Sequence, residues 1–251
     1  MGRKQQQTAV TYVIAAALVI IAIALVYIAI RTYGGYNGYS TPFGMMNGNL
    51  SSQTMYNNSM MGGSGASVMS SMMVGMMGQV GTPLAIQTAV QDARATSSYA
   101  VVSPKNNSIV FESKNVSIVV LAMGVDRAMN LTGSTPPPHA TNDTFVIDGL
   151  IAPTLVLQKG STVHITFVNL DSNEYHDVII TSTGPPYPYM PMSAMSGLVS
   201  MMSFVQHADY QQGQAYEYSY NASFNSAGTF WYLCMYPGHA QMGMYGKIVV
   251  Q

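Results

Sequence analysis

Only 8% of the 251 residues are charged, against ~25% in ordinary soluble proteins, and nine Lys and Arg stand against ten Asp and Glu. No basic excess exists to recruit nucleic acid, and the length allows one domain of ordinary size plus appendages. Two readings of the missing charge stand side by side. One is compositional drift, helped by an apolar segment and a polar linker. The other is acidic surroundings, where a surface of amides and hydroxyls avoids charges that change with pH.

Ala9 to Ile30 form an apolar run without a charge, about the ~20 residues that a helix needs to cross the hydrocarbon core. Residues 1–31 are therefore expected to be a membrane anchor, spanning at about 9–30. A cleaved signal peptide is the alternative, but its apolar region is usually ~7 to 15 residues and ends at a small-residue site that is not found before Arg31. Arg3 and Lys4 precede the run, so the positive-inside tendency puts the N-terminus in the cytoplasm and the larger C-terminal part outside, on the extracytoplasmic face. Asn49, Asn57, Asn106, Asn115, Asn130, Asn142 and Asn221 each open an N-x-[ST] sequon, the acceptor pattern of exported chains.

Residues 32–82 are rich in Gly, Ser, Asn, Tyr and Met with no sustained period, and read as a flexible linker. Met pairs within it (Met45-Met46, Met60-Met61, Met72-Met73, Met76-Met77) could collect Cu(I) through thioethers or simply rest on a membrane or partner. From residue 83 to 251 the pattern becomes that of a folded domain. One short helix is expected within Pro83 to Ala100, with Ala85, Ala89, Val90 and Ala93 at helical spacing. Strand-like runs follow at Ser108–Glu112, Val116–Ala122, Thr144–Ile147, Thr154–Leu157, Thr162–Val168, Asp177–Thr181, Tyr216–Phe224, Gly228–Leu233 and Gly246–Val250. Short alternating runs broken by Gly, Pro, Asn and Ser signal an all-β sandwich or barrel. In Thr162–Val168 the alternation puts Val163, Ile165 and Phe167 on one face and His164 on the solvent face.

The sole cysteine opens the run Cys234-Met235-Tyr236-Pro237-Gly238-His239-Ala240-Gln241-Met242-Gly243-Met244. A lone Cys has no intramolecular disulfide partner, and here a thiolate, an imidazole and a thioether stand at intervals of five. That soft donor set suits copper, for which a His2Cys trigon with a long axial Met is the blue-copper arrangement. Five histidines are available. His139 follows three prolines, His207 lies in a Met-rich connection, and neither has a partner in sequence. His176 follows a turn-like stretch and opens the run beginning at Asp177, so it is the expected second imidazole. A buried, inert Cys with neighbouring His and Met is the plain alternative.

Gly228-Thr229-Phe230-Trp231-Tyr232-Leu233-Cys234, then Pro237-Gly238-His239 and Gly243-Met244-Tyr245-Gly246-Lys247-Ile248-Val249-Val250, resemble the C-terminal signature of the rusticyanins and the related sulfocyanins, both blue copper proteins. Lys159–Val163 with Ile165, Phe167 and Asn169, and Thr183–Tyr187 with Met190-Pro191, resemble stretches flanking that family's first His. The resemblance runs from about Val101 to Gln251. It implies a cupredoxin-like Greek-key β-sandwich with one type 1 copper held by His176, Cys234, His239 and the axial Met244. Met242 comes too early on the loop to match, and Met235 reads as lining. Where the family commonly has Asn or Ser after its first His, this chain has Asp177; a protonated Asp could donate the hydrogen bond that steadies the ligand loop, and an ionised one could not.

With every position filled by protein, such a centre moves single electrons and leaves no place for a small-molecule substrate, so an electron carrier rather than an enzyme is implied. Neither a second Cys for a dinuclear centre nor the His-x-His pairs of a multicopper oxidase are present. Met190, Met192, Met195, Phe204, Trp231, Tyr232, Tyr236 and Tyr245 are expected around the site, and an apolar patch at Pro237-Gly238 is expected to receive partners. By resemblance those partners are respiratory, a cytochrome or terminal oxidase, in a chain that ferrous iron could feed. A cell-surface copper carrier or store is the alternative.

Overall fold

The computed structural model describes residues 79–92 and 98–251, together with Gly75, all within one compact unit. The expected anchor at 9–30 and nearly all of the expected linker lie outside the described residues; among those described, no helix is long and apolar enough to cross a membrane. Strands β1 (Gln79–Val80) and β2 (Thr82–Ala85) lead into a helix, Ile86–Asp92. Then come β3 (Ala100–Ser103), β4 (Ser108–Phe111), β5 (Asn115–Gly124) and a second helix, Val125–Thr132. The rest is β6 (Asp143–Ile147), β7 (Leu150–Ile151), β8 (Thr154–Leu157), β9 (Ser161–Asn169), β10 (Ile179–Thr181), β11 (Leu198–Ser200), β12 (Phe204–Val205), β13 (Gln214–Phe224), β14 (Gly228–Leu233) and β15 (Tyr245–Val250).

Two sheets carry the fold, ordered β11-β10-β14-β15-β8-β4-β3 and β2-β13-β9-β5-β6-β7, with β1 and β12 paired beside them. Their inner faces meet in one core that includes Phe111, Ile118, Val120, Phe145, Ile165, Phe167, Phe224, Tyr232 and Ile248. The period of two in β9 explains its placement: Val163, Ile165 and Phe167 are buried while Thr162 and His164 are exposed, and His164 Nδ1 lies 2.9 Å from Asn221 Oδ1 on neighbouring β13. The alternation stops at Val168, which is buried in a second cluster with Ala89, Leu121, Met123, Ala128 and Leu170. Ala89 and Ala128 come from the two helices, which therefore cover that part of the outer face and make it apolar on both sides.

The expected helix within 83–100 forms, but it starts at Ile86 because Thr82–Ala85 pair antiparallel with Gln214–Glu217 of β13. Pro83 is tolerated there since β2 is an edge strand. Gln79–Val80 and Thr82, inside the stretch expected to be linker, are strand residues; Val80 pairs with Val205. The helix Val125–Thr132 was not expected from the sequence. It is short and ends on Gly133 at φ 68°, whose N–H reaches the Met129 carbonyl. Asp148 and Gly149, at φ 46° and 76°, make the two-residue turn that returns β6 to β7.

Candidate metal centre

His176 is placed by its backbone. Its N–H donates to the Val205 carbonyl at 3.2 Å and its carbonyl accepts from Val205 N–H at 2.8 Å, an isolated antiparallel bridge onto β12. Asn169, fully buried at the end of β9, donates through Nδ2 to the carbonyls of Glu174 (2.8 Å) and Val205 (3.0 Å). Asp171 Oδ1 accepts from the N–H groups of Asn173 and Glu174, closing the turn before His176. The turn-like reading of 169–175 thus has a mechanism, since these two polar side chains pair with backbone groups of the turn itself, at Asn173 and Glu174.

The loop from β14 to β15 supplies the other donors. Cys234 N–H donates to the Met244 carbonyl (3.2 Å), Met244 N–H to the His239 carbonyl (2.9 Å), and His239 N–H to the Tyr236 carbonyl (3.1 Å). The loop is thereby folded back on itself between its first and last donors. Gly238 at φ 87° donates to the Tyr189 carbonyl at 2.7 Å, and Tyr236 N–H points at Cys234 Sγ from 3.4 Å. Gly243 at φ 101° lies so close to His139 that a Cβ would collide with the His139 carbonyl oxygen.

These two segments bring His176 Nδ1, Cys234 Sγ and His239 Nδ1 together. The nitrogens are 3.1 Å apart and stand 3.7 Å and 3.6 Å from the sulfur. A point equidistant from the three atoms is about 2 Å from each, which is a metal–ligand bond length. Three donors this close, two of them imidazole nitrogens that cannot hydrogen-bond one another when both carry lone pairs, fit a soft cation between them. Cys234 and Met244 are fully buried in the main core cluster, and His176 is fully buried as well. Burial pushes the Cys234 thiol well up and the His176 imidazolium well down, each disfavouring the charged side chain.

Asp177 is fully buried and accepts the Met235 N–H through Oδ1 at 2.7 Å. Burial raises its carboxyl to about 7, and Oδ2 has no hydrogen-bond partner. The bond shown is therefore one that Asp177 accepts, whereas the sequence points to one that it donates. Met235 is buried in a different cluster from Cys234, with Ile179, Phe204 and Leu233. Met242 is 40% exposed, unlike buried Met244.

Several expected neighbours stand elsewhere. Met192 is 57% exposed and does not line the site, and Tyr232, in the same core cluster as Cys234, turns its hydroxyl to the Pro153 carbonyl at 2.7 Å. Tyr236 does approach, its ring 4.6 Å from that of His239. Pro237 and Gly238 are buried, Gly238 beneath the Tyr189 ring, so the expected patch there is offered instead by half-exposed Tyr189 and Met242. His139, without a partner in the sequence reading, stacks on Tyr245 with centroids 4.4 Å apart.

Sequence reasoning missed two carboxylates. Glu174 Oε2 lies 2.6 Å from His239 Nε2, and Asp143 Oδ2 lies 3.9 Å from the same nitrogen. The hydrogen bond to His239 holds the Glu174 carboxyl below its ordinary range, while burial pushes Asp143 up to about 6. An acidic residue two positions before a candidate ligand was the available signal for Glu174. For Asp143, far from every candidate ligand in the chain, the sequence offered none.

Known proteins share this arrangement of sheets. The multicopper oxidase family model matches residues 130–251. Over 145 residues the chain is 36% identical to rusticyanin of Acidithiobacillus ferridurans, covering 58% of this chain and 68% of that one. It is 34% identical to a rusticyanin of Acidithiobacillus ferrooxidans over 145 residues, covering 58% of this chain and 82% of that one. The chain belongs to the rusticyanin family. Solved structures agree: the copper protein rusticyanin superposes with TM-score 0.52 at 25% identity over 69% of this chain and 99% of its own, and reduced rusticyanin with TM-score 0.51 at 26% identity over 68% and 100%. The rusticyanin fold is thus an all-β, cupredoxin-like sandwich here too, with the donor triad at one end.

Proposed function

We propose that this chain is a single-electron carrier whose one type 1 copper is held by His176 Nδ1, His239 Nδ1, Cys234 Sγ and the thioether of Met244. The observation that carries the reading is the buried triangle of donors, 3.1 to 3.7 Å on a side. Bound there, copper supplies one-electron redox chemistry. The protein's part is to keep the donors in place in both oxidation states: the Val205 bridge fixes His176, and the folded-back loop fixes Cys234, His239 and Met244. Phe204, Met235 and Tyr236 exclude water around them, which disfavours the more highly charged oxidation state. The multicopper oxidase match reflects a shared domain type in this reading, because the chain has no His-x-His pair for further coppers.

The wider setting is part of the same proposal. The apolar run at 9–30 anchors the protein in the cell membrane, residues 32–82 tether it, and the copper domain works on the extracytoplasmic side. Its partners are respiratory redox proteins, a cytochrome or terminal oxidase. A visible spectrum of the copper-loaded chain tests the centre: a strong thiolate-to-copper band near ~600 nm is expected of a His2Cys site. A colourless copper-loaded protein would overturn the proposal, and rapid copper exchange without electron transfer would favour a carrier or store.

A further inference from the structure

His239 is held from both sides of its ring. Nδ1 faces His176 Nδ1 and Cys234 Sγ, while Nε2 lies 2.6 Å from Glu174 Oε2. A carboxylate only accepts, so the short contact places the ring proton on Nε2 and leaves the Nδ1 lone pair directed at the donor triangle. The other imidazole is treated differently, for His176 Nε2 is buried without a hydrogen-bond partner and that ring is located by its backbone bridge.

The same contact decides what the site shows to solvent. His176, Cys234 and Met244 are fully buried and His239 is 2% exposed, whereas the Glu174 side chain is 44% exposed. A redox reagent that approaches the His239 edge therefore meets a carboxylate first. Of the ten acidic residues among 251, Asp143, Asp171 and Glu174 gather at this edge, and the Glu174 side chain is 44% exposed against 10% for that of Asp143.

We propose that Glu174 is a positioning residue for electron transfer: it sets the tautomer and orientation of His239 and screens the outer edge of the centre with a negative charge that favours cationic over anionic electron donors. The inference rests on the copper-centre reading above.

The test uses the full chain, copper-loaded and oxidised, with Glu174→Gln and Glu174→Ala. Gln keeps an acceptor oxygen and loses the charge; Ala loses both. Each protein is reduced by hexacyanoferrate(II), an anion, and by a pentaammine(pyridine)ruthenium(II) cation, each metal complex giving up one electron as Cu(II) becomes Cu(I). In Glu174→Gln the ratio of the anion's rate constant to the cation's is expected to rise about fivefold or more at low salt, and to approach the parent's at high salt. A structural effect alone would alter both rates in the same sense. Copper-free protein gives a second readout by NMR: the His239 Nε2–H signal, slow to exchange in the parent and in Glu174→Gln, is expected to be lost in Glu174→Ala. An unchanged rate ratio in a Glu174→Gln protein that keeps its blue band overturns the charge role, and a persistent Nε2–H signal in Glu174→Ala overturns the tautomer role. A parent protein without a blue band defeats the copper reading instead, so the two failures are distinguishable.

Discussion

Asp177 Oδ1 accepts the backbone N–H of Met235 at 2.7 Å, and so joins the residue after His176 to the residue after Cys234. Two segments 58 residues apart are thereby locked in register beside the donors. Asp177→Asn retains an acceptor oxygen and is expected to keep the blue band and, at pH 3 where the carboxyl is protonated in the folded and unfolded states alike, the urea midpoint of the parent. Asp177→Ala leaves the Met235 N–H buried and unpaired, at a cost of about 1 to 3 kcal/mol. Equal stability and identical spectra for the two variants would show that the bond has no such role.

The approach of Gly243 to His139 sets a stricter limit. At φ 101°, with the His139 carbonyl where a Cβ would stand, any side chain must displace backbone in one segment or the other. Strained backbone of this kind costs about 1 to 3 kcal/mol before the collision is counted. Gly243→Ala is expected to lower thermal stability and to weaken copper retention, because the displaced segment lies between His239 and Met244. Full copper retention with an unchanged melting temperature would be incompatible with this packing.

Asp148 gives the pH dependence a measurable sign. Burial lifts its carboxyl to about 6, and Oδ2 lacks a partner. The unfolded value is ~3.9, so the folded state holds the proton more tightly between those two values. Its contribution is fully favourable below about pH 4 and is lost as pH rises through about 6. Asp148→Asn removes the ionisation and tolerates the left-handed backbone at φ 46°. It is expected to stabilise by about 1 to 2 kcal/mol at pH 7.5, after allowance for partial exposure, and by nothing at pH 3. Urea titrations at the two pH values decide it: an equal gain at both would refute the assignment. Collapse of the fold below pH 4 would sink the acidic-surroundings reading of the sequence.

The sandwich was legible because its long strands alternate. Val163, Ile165 and Phe167 announce an inner face, and all nine expected runs lie on strands or overlap them. Short strands escaped: Leu150–Ile151, Leu198–Ser200 and Phe204–Val205 are two or three residues long, too short to show a period. The donor loop was legible because Cys234, His239 and Met244 lie on one contiguous stretch. Glu174 was legible only as an acidic residue two positions before His176, since its role depends on the turn at Asp171 delivering it to a ring 65 positions later.

The choice between thioethers remains the sharpest test of the donor loop. Met244 is fully buried in the same cluster as Cys234, and its backbone pairs with both Cys234 and His239. Met242 is 40% exposed, and its terminal methyl lies near Gly238 instead. An axial thioether tunes the potential of a blue copper centre without supplying its colour. Met244→Leu, close in volume, is therefore expected to keep the blue band while shifting the reduction potential by tens of millivolts, at a stability cost below about 1.5 kcal/mol. Met242→Leu is expected to change neither. Cyclic voltammetry of the two variants separates the alternatives: a shift in Met242→Leu with none in Met244→Leu would transfer the axial role to Met242.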